Sequence, residues 1–160
     1  MPTLRAEIEI QAPKSMVWAA LCDKKSWQYW NTFLFDGGSV DTELNPLFTE
    51  KKSTHLMVCR SLGEGKVAFQ PNVQQVQPES ILSWSAKATG FQVESQFELQ
   101  DINAQSTRYI HTEIFSGWLV RLIFPFMAAD EQAGMTKMAA ELKQYLESLP
   151  TNGQQPIINT

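Results

Sequence analysis

The stretch STRYIHTEIFSG, residues 106–117, decides how the rest of the chain is interpreted. Its β-branched and aromatic residues predict a strand. His111 and Glu113 lie two residues apart, so a strand would point both side chains to the same face of its sheet. That face either meets water or meets an interior hollow enough to hold two ionisable groups.

Two registers of this strand are possible, and they bury opposite residues. The favoured register buries Tyr109, His111, Glu113 and Phe115, whereas the other buries Arg108, Ile110, Thr112 and Ile114. The charge of Arg108 argues against the second register, although the two isoleucines argue for it. An inward His111 and Glu113 could move a proton or orient a ligand, because burial raises a carboxyl pKa and a nearby imidazole lowers it again. The same pair could instead make only structural hydrogen bonds.

Strand and turn signals extend from this stretch back to about residue 38. The segments NP at 45, LGEG at 62, QPES at 77 and DINAQS at 101 separate short apolar runs, which predicts an antiparallel meander. Residues 91–100 alternate regularly between apolar side chains and Gln or Glu. One face of the sheet is therefore expected to be exposed to solvent, and the other to pack on the core.

Helical signals lie at both ends of the meander. Residues 3–11 alternate as a strand, and residues 14–30 predict two short helices, the first led by Pro13 and the second capped by Asp23. After Gly117 the period becomes helical, and Pro150 ends the helix. The apolar stripe of that helix consists of Met135, Met138, Ala139, Leu142, Leu146 and Leu149. The preceding run WLVRLIFPFM is interpreted as a packed lid, with membrane contact as the alternative.

This order predicts an α+β domain over residues 1–149, followed by a loose tail over 150–160. A curved antiparallel sheet would wrap one long C-terminal helix, with two short helices after the first strand. A sheet with one solvent-exposed face must bury the other, and one long helix cannot cover the whole inner face of a wide curved sheet. An internal cavity is the expected consequence.

Composition limits the classes of partner. The 160 residues are 43% apolar and 19% charged, with a net charge of -4. This balance predicts a globular protein without the basic surface that binds nucleic acid. No signal peptide or membrane-spanning segment is predicted, so the expected location is the cytoplasm, and the oligomeric state is left open. Cys22 and Cys59 are interpreted as buried free thiols rather than a disulfide.

Three segments resemble the START-like helix-grip superfamily, also called SRPBCC. APKSMVWAALCDKKSWQYWNTF (12–33) resembles the family's opening, although Thr32 stands where the family has proline. VAFQPNVQQVQPESILSW (67–84) looks like its strand pair, and residues 106–117 resemble its T-x-x-x-H-x-E-x-F-x-G strand. Members that carry this strand are polyketide cyclase or lipid-transport proteins. The resemblance implies a deep apolar cavity for a hydrophobic small molecule, and fold alone does not choose between carrier and enzyme.

The resemblance also implies which residues bind the ligand. The expected ligand-binding residues are Trp30, Asn31, Phe69, Trp84, Phe91, Val93, Phe97, Tyr109, His111, Glu113, Phe115, Met135, Met138 and Leu142. Trp27, Trp30, Asn31 and Phe33 would form the rim of the cavity mouth, or else simply cap the core. Asn31, His111 and Glu113 would orient a polar end of the ligand.

Three functions remain open. The first is carriage or sensing of a hydrophobic molecule or lipid. The second is a cyclase- or hydrolase-like enzyme that uses His111 and Glu113 as an acid/base pair. The third is a protein-interaction module whose cavity is collapsed and filled by Trp84, Phe97 and Met138. We predict no cofactor and no metal, because His55 is the only other histidine and no phosphate-binding loop or nucleophile motif is present.

Overall fold

Two antiparallel sheets and one long helix make up most of the protein. The computed structural model describes residues 1–39, 56–62 and 65–150. The strands are β1 (Thr3–Ile10), β2 (Leu34–Ser39), β3 (Leu56–Leu62), β4 (Gly65–Phe69), β5 (Asn72–Gln77), β6 (Ile81–Ala88), β7 (Phe91–Asn103) and β8 (Ser106–Ser116). The helices are α1 (Lys14–Cys22), a 3-10 helix (Lys24–Tyr29) and α2 (Val120–Ser148).

The larger sheet has the strand order β1-β8-β7-β6-β5, and the smaller has the order β2-β3-β4. Strand β8 lies between β1 and β7, which places His111 opposite Ala6 on one side and Phe97 on the other. Helix α2 packs mainly against β1 and also contacts β8. The predicted α+β helix-grip architecture, with a long C-terminal helix on a curved antiparallel sheet, is confirmed.

Strand β8 has the register that buries its ionisable residues. His111 and Glu113 are both 0% exposed, and Arg108 faces solvent. Ile110 lies on the opposite face and is nevertheless buried. Its neighbours on that face are Glu7 of β1 and Glu98 of β7, whose aliphatic stems can cover it.

The two short helices after β1 are confirmed. The carboxylate of Asp23 accepts a hydrogen bond from the backbone N–H of Lys25 at 3.1 Å, as an N-cap does. The 3-10 helix is further fixed by the indole N–H of Trp27, which donates to the carbonyl of Leu21 at 3.1 Å. The chain then turns directly into β2.

The run WLVRLIFPFM, interpreted above as a packed lid, is helical from Val120 onward and forms the first turns of α2. The helix begins at Val120 and contains Pro125 in its second turn. Proline removes one internal hydrogen bond, here to the carbonyl of Arg121, and both residues lie on the exposed side, where water can replace the bond. The helix therefore continues through a residue that normally ends one.

The buried thiol predicted at position 22 is confirmed. Cys22 is free and buried, and burial raises its pKa to about 12. The side chain of Cys59, His55 and the predicted tail after Pro150 lie outside the described residues. Within the described part of the chain, none of the helices is long and apolar enough to cross a membrane.

Candidate functional site

The inner face of β8 carries a buried acid/base pair. The Nε2 atom of His111 lies 3.5 Å from Oε1 of Glu113, and the hydroxyl of Ser95 donates to the same oxygen at 3.3 Å. Ser95 stands directly opposite Glu113 on β7. Regular strand pairing alone therefore brings a hydroxyl, a carboxyl and an imidazole together on one face of the sheet.

Aromatic rings enclose this pair. The ring of Phe97 stacks on the imidazole of His111 with centroids 4.2 Å apart and planes 23° from parallel. Tyr109 lies two residues before His111 on the same face, and its phenol is fully buried. Burial, and secondarily the charge of Glu113, raise the pKa of Tyr109 above its ordinary value of 10. The phenol therefore stays neutral throughout the physiological pH range.

A cavity of about 630 Å³ lies beside the N-terminal half of α2. Its lining residues are Thr32, Phe33, Phe91, Ile123, Phe126, Met127, Asp130, Glu131, Ala133, Gly134 and Lys137. The walls are mostly apolar, with a few polar groups placed among them. Small-molecule sites have this composition and lie in this range of volume.

Gly134 lets the helix approach the loop before β2. A Cβ atom at this position would lie 2.4 Å from Cδ2 of Phe33, closer than real contacts allow. The hydroxyl of Thr32 also donates to Oε1 of Glu141 at 2.7 Å. Thr32, which replaces the proline of the family pattern, thus ties the loop to α2 at the edge of the cavity.

Glu131 is the buried carboxyl of the cavity wall, and the sequence analysis did not single it out. It is 3% exposed and lies one helical turn before Met135. A signal was available, because Glu131 continues the Met135 and Met138 stripe at helical spacing. Ile123, Phe126 and Met127 also line the cavity, although they were not among the expected ligand-binding residues.

The expected ligand-binding residues divide between core and cavity. Phe91 lines the cavity, while Val93 and Phe115 belong to a small apolar cluster against which Phe91 and Met127 pack. The main core contains Trp30, Trp84, Phe97, Tyr109, Met135, Met138 and Leu142, with Phe69 packed against it. Trp84, Phe97 and Met138 are each fully buried in that core. The cavity lies nearer the start of α2.

The rim expected at the end of the 3-10 helix is realised in part. Phe33 lines the cavity, whereas Trp27 and Trp30 are buried in the core. The side-chain oxygen of Asn31 accepts from the backbone N–H groups of Phe33 and Leu34 at 3.0 and 2.8 Å. Asn31 therefore shapes the turn into β2 and so positions Phe33.

Comparison with known proteins shows similarity of fold, and of fold alone. Neither a protein-family model nor a curated protein sequence matches this chain. A START superfamily protein from Mycobacterium smegmatis is similar in structure, with a TM-score of 0.66 at 12% identity over 92% of this chain and 99% of that one.

Two further solved structures are similar. The Aha1 dimer from Colwellia psychrerythraea has a TM-score of 0.60 at 18% identity over 92% of this chain and 98% of that one. DynU16, a protein in the dynemicin biosynthetic locus, has a TM-score of 0.62 at 20% identity, covering 91% of this chain and 47% of that one. At these identities the likeness concerns the backbone architecture. The chain therefore has the START-like helix-grip fold that its sequence resembles.

Proposed function

We propose that the protein binds a hydrophobic small molecule or lipid in the cavity between α2, Phe33 and Phe91. The single observation that supports this proposal most strongly is the cavity itself, with its volume of about 630 Å³ and its largely apolar wall. Apolar area buried by the ligand would provide most of the affinity. The proposal covers carriage or sensing in the cytoplasm, where Cys22 would remain a thiol.

Polar groups in the wall would orient the ligand. Glu131 is buried in the wall, and Lys137 and Thr32 also line the cavity. A ligand with a hydroxyl or amine at one end and an apolar body at the other matches this arrangement, because the carboxylate can accept a hydrogen bond from that end. His111 and Glu113 are absent from the residues that line the cavity, so in this proposal they support its wall.

The experiment is a titration with the neutral fluorescent probe N-phenyl-1-naphthylamine, combined with native mass spectrometry of freshly purified protein. Ala133→Trp would fill the cavity from its wall, and Ala129→Trp is the matched control at another exposed alanine of the same helix, which does not line the cavity. We expect the Kd for the probe to rise about tenfold in Ala133→Trp and to stay unchanged in Ala129→Trp. Absence of probe binding to the unaltered protein, together with a ligand-free mass, would contradict the proposal.

A second candidate function is supported by the pair in β8. Nε2 of His111 lies 3.5 Å from Oε1 of Glu113, and the Ser95 hydroxyl donates a hydrogen bond to the same oxygen. This arrangement could shuttle a proton in a cyclase- or hydrolase-like reaction. Such a reaction needs substrate contact with the imidazole. The distinguishing result would be a bound compound that is chemically altered by the unaltered protein and recovered intact from Glu113→Gln.

A further inference from the structure

A second pocket lies on the surface at the C-terminal end of α2, and the proposed function uses none of its residues. It has a volume of about 360 Å³ and is lined by Tyr29, Trp30, Glu141, Gln144, Tyr145 and Ser148. Tyr29 is 71% exposed, and the rings of Trp30 and Tyr145 stack with centroids 6.5 Å apart. We call this space the aromatic pocket.

Glu141 gives the aromatic pocket a negative charge. Its Oε1 atom accepts from the hydroxyl of Thr32, which is neutral and leaves the charge of the carboxylate in place. None of the ion pairs between described residues involves Glu141. Lys137 lies one turn earlier on α2 and lines the larger cavity instead. Lys143 pairs with Glu147 and does not line the aromatic pocket either.

The ends of two helices add to this negative potential. α2 ends at Ser148 and the 3-10 helix ends at Tyr29, and both residues line the aromatic pocket. The last carbonyl groups of a helix carry a partial negative charge, which a basic residue in the last turn can complement. Neither helix has a basic residue in its last turn. A cation supplied by another molecule would complement both ends.

A second depression, of about 260 Å³, lies on the other side of Tyr145, which lines both spaces. Asp23 and Ser26 line this depression together with apolar residues of α1 and α2. The Asp23 carboxylate accepts from the backbone N–H of Lys25 and takes part in none of the ion pairs between described residues. Lys24 is buried and Lys25 is exposed, but neither lines either space. The two spaces therefore form one groove with a carboxylate in each part.

Aromatic rings beside a carboxylate favour a guanidinium group over an ammonium group. A guanidinium is planar, stacks on an aromatic face and binds a carboxylate through two parallel hydrogen bonds, whereas an ammonium is more strongly hydrated. We propose that the aromatic pocket binds an arginine side chain of a partner polypeptide, with the guanidinium against Tyr29 or Tyr145 and beside Glu141. The second depression favours a polypeptide over free arginine, because a chain that crosses Tyr145 can place another basic side chain at Asp23.

The test is fluorescence anisotropy with a labelled peptide that carries two arginines separated by a short glycine spacer. The matched control peptide carries citrulline, which keeps the shape of arginine and lacks its charge. We expect the arginine peptide to bind about tenfold more tightly than the citrulline peptide, and the difference to shrink in added salt. Equal binding of the two peptides would overturn the proposal. Binding of free arginine amide as tight as that of the peptide would overturn the polypeptide as its source.

Variants then locate the bound peptide on the protein. Glu141→Gln should raise the Kd about tenfold, whereas Glu147→Gln, which removes another carboxylate of α2, should leave it unchanged. Tyr29→Ser should raise the Kd about fivefold. Because Tyr29 is exposed and does not line the larger cavity, this variant should fold normally and bind N-phenyl-1-naphthylamine as the unaltered protein does. Peptide binding that neither Glu141→Gln nor Tyr29→Ser weakens would overturn the proposal.

Asp23→Asn tests the second part of the groove. Asparagine caps a helix about as well as aspartate, so the 3-10 helix should keep its start. We expect the variant to weaken binding of the peptide with two arginines about threefold and to leave a peptide with one arginine unaffected. Equal effects on both peptides would contradict a chain that spans the two spaces. The naphthylamine readout is independent of the aromatic pocket, so a failure of this proposal and a failure of the proposed function are distinguishable.

Discussion

The ring of Phe33 lies 6.4 Å from the imidazole of His111, centroid to centroid, and the same ring forms part of the cavity wall. His111 itself is fully buried and does not line the cavity. Phe33 is therefore the residue shared by the two candidate sites. The binding proposal needs this ring as a wall, whereas the acid/base alternative needs it to move aside.

Replacing Phe33 with alanine should open the cavity toward His111. The matched control is Phe91→Ala, which removes another phenylalanine of the cavity wall. In a His55→Gln background His111 is the sole histidine, so its modification by diethyl pyrocarbonate can be followed by mass spectrometry. We expect fast modification in Phe33→Ala and protection in Phe91→Ala. Equal protection in both would contradict the shared-wall interpretation. Phe33→Ala should also cost about 3–5 kcal/mol of unfolding free energy.

Gly134→Ala tests how closely α2 approaches that ring. Alanine favours a helix by about 1 kcal/mol over glycine, but its Cβ would lie 2.4 Å from Phe33. The clash should dominate and lower the unfolding free energy by about 1–3 kcal/mol, measured by urea denaturation. Phe33→Leu should relieve much of this loss in the double variant. A stabilising Gly134→Ala would mean that the ring moves freely out of the way.

The strands that pack one face on the core were predictable from sequence. Residues 91–100 alternate because β7 is wet on one side, and the same reasoning places Tyr109 and Phe115 on the inner face. Composition resolved the ambiguity at β8, since Arg108 could not be buried without a partner. Ile110 was misleading because neighbouring strands can bury an isoleucine even on the outer face of a sheet.

A cavity was expected, but its position was not predictable, because it depends on contacts between distant parts of the chain. Phe33 and Gly134 are far apart in sequence, and only the assembled fold brings helix and loop together. The first turns of α2 were harder to recognise as helix for a local reason. The segment before Asp130 is apolar on both its buried and its exposed sides, so it has no one-sided periodicity, and Pro125 looks like a helix breaker.

Tyr109→Phe should be neutral or stabilising at pH 7 and should flatten the loss of stability in alkali. Among the described residues the Tyr109 hydroxyl has no hydrogen-bond partner, so removing it relieves a buried polar group. Burial raises the folded pKa, so the stability contributed by this residue is present below about pH 10 and is lost as the pH rises above it.

Urea denaturation at pH 7 and pH 11 measures this effect. The unaltered protein should lose about 1.4 kcal/mol per pH unit more than Tyr109→Phe once the unfolded phenol ionises. Tyr29→Phe, which changes an exposed ring, is the control. A large loss of stability in Tyr109→Phe at pH 7 would show that the hydroxyl makes a bond the fold depends on.

Glu147→Gln should weaken the attachment of the end of α2 to β1, and only above acidic pH. The Glu147 carboxylate accepts from Nζ of Lys143 at 2.6 Å and from the backbone N–H of Gln11 at 2.8 Å, just after β1. The hydrogen bond from Lys143, and then that from Gln11, hold the pKa of Glu147 below its ordinary value of 4.5. A lowered folded pKa gives stability that is present above the ordinary value and lost as the pH falls through the folded one.

The expected loss at pH 7 is about 0.5 kcal/mol, because solvent screens this partly exposed group. At pH 3 the difference between the two proteins should shrink, since protonation of Glu147 removes the same charge. Urea denaturation at both pH values measures it, and Lys143→Met in a double-mutant cycle isolates the contribution of the ion pair. Equal losses at pH 7 and pH 3 would assign the effect to packing of the side chain rather than to its charge.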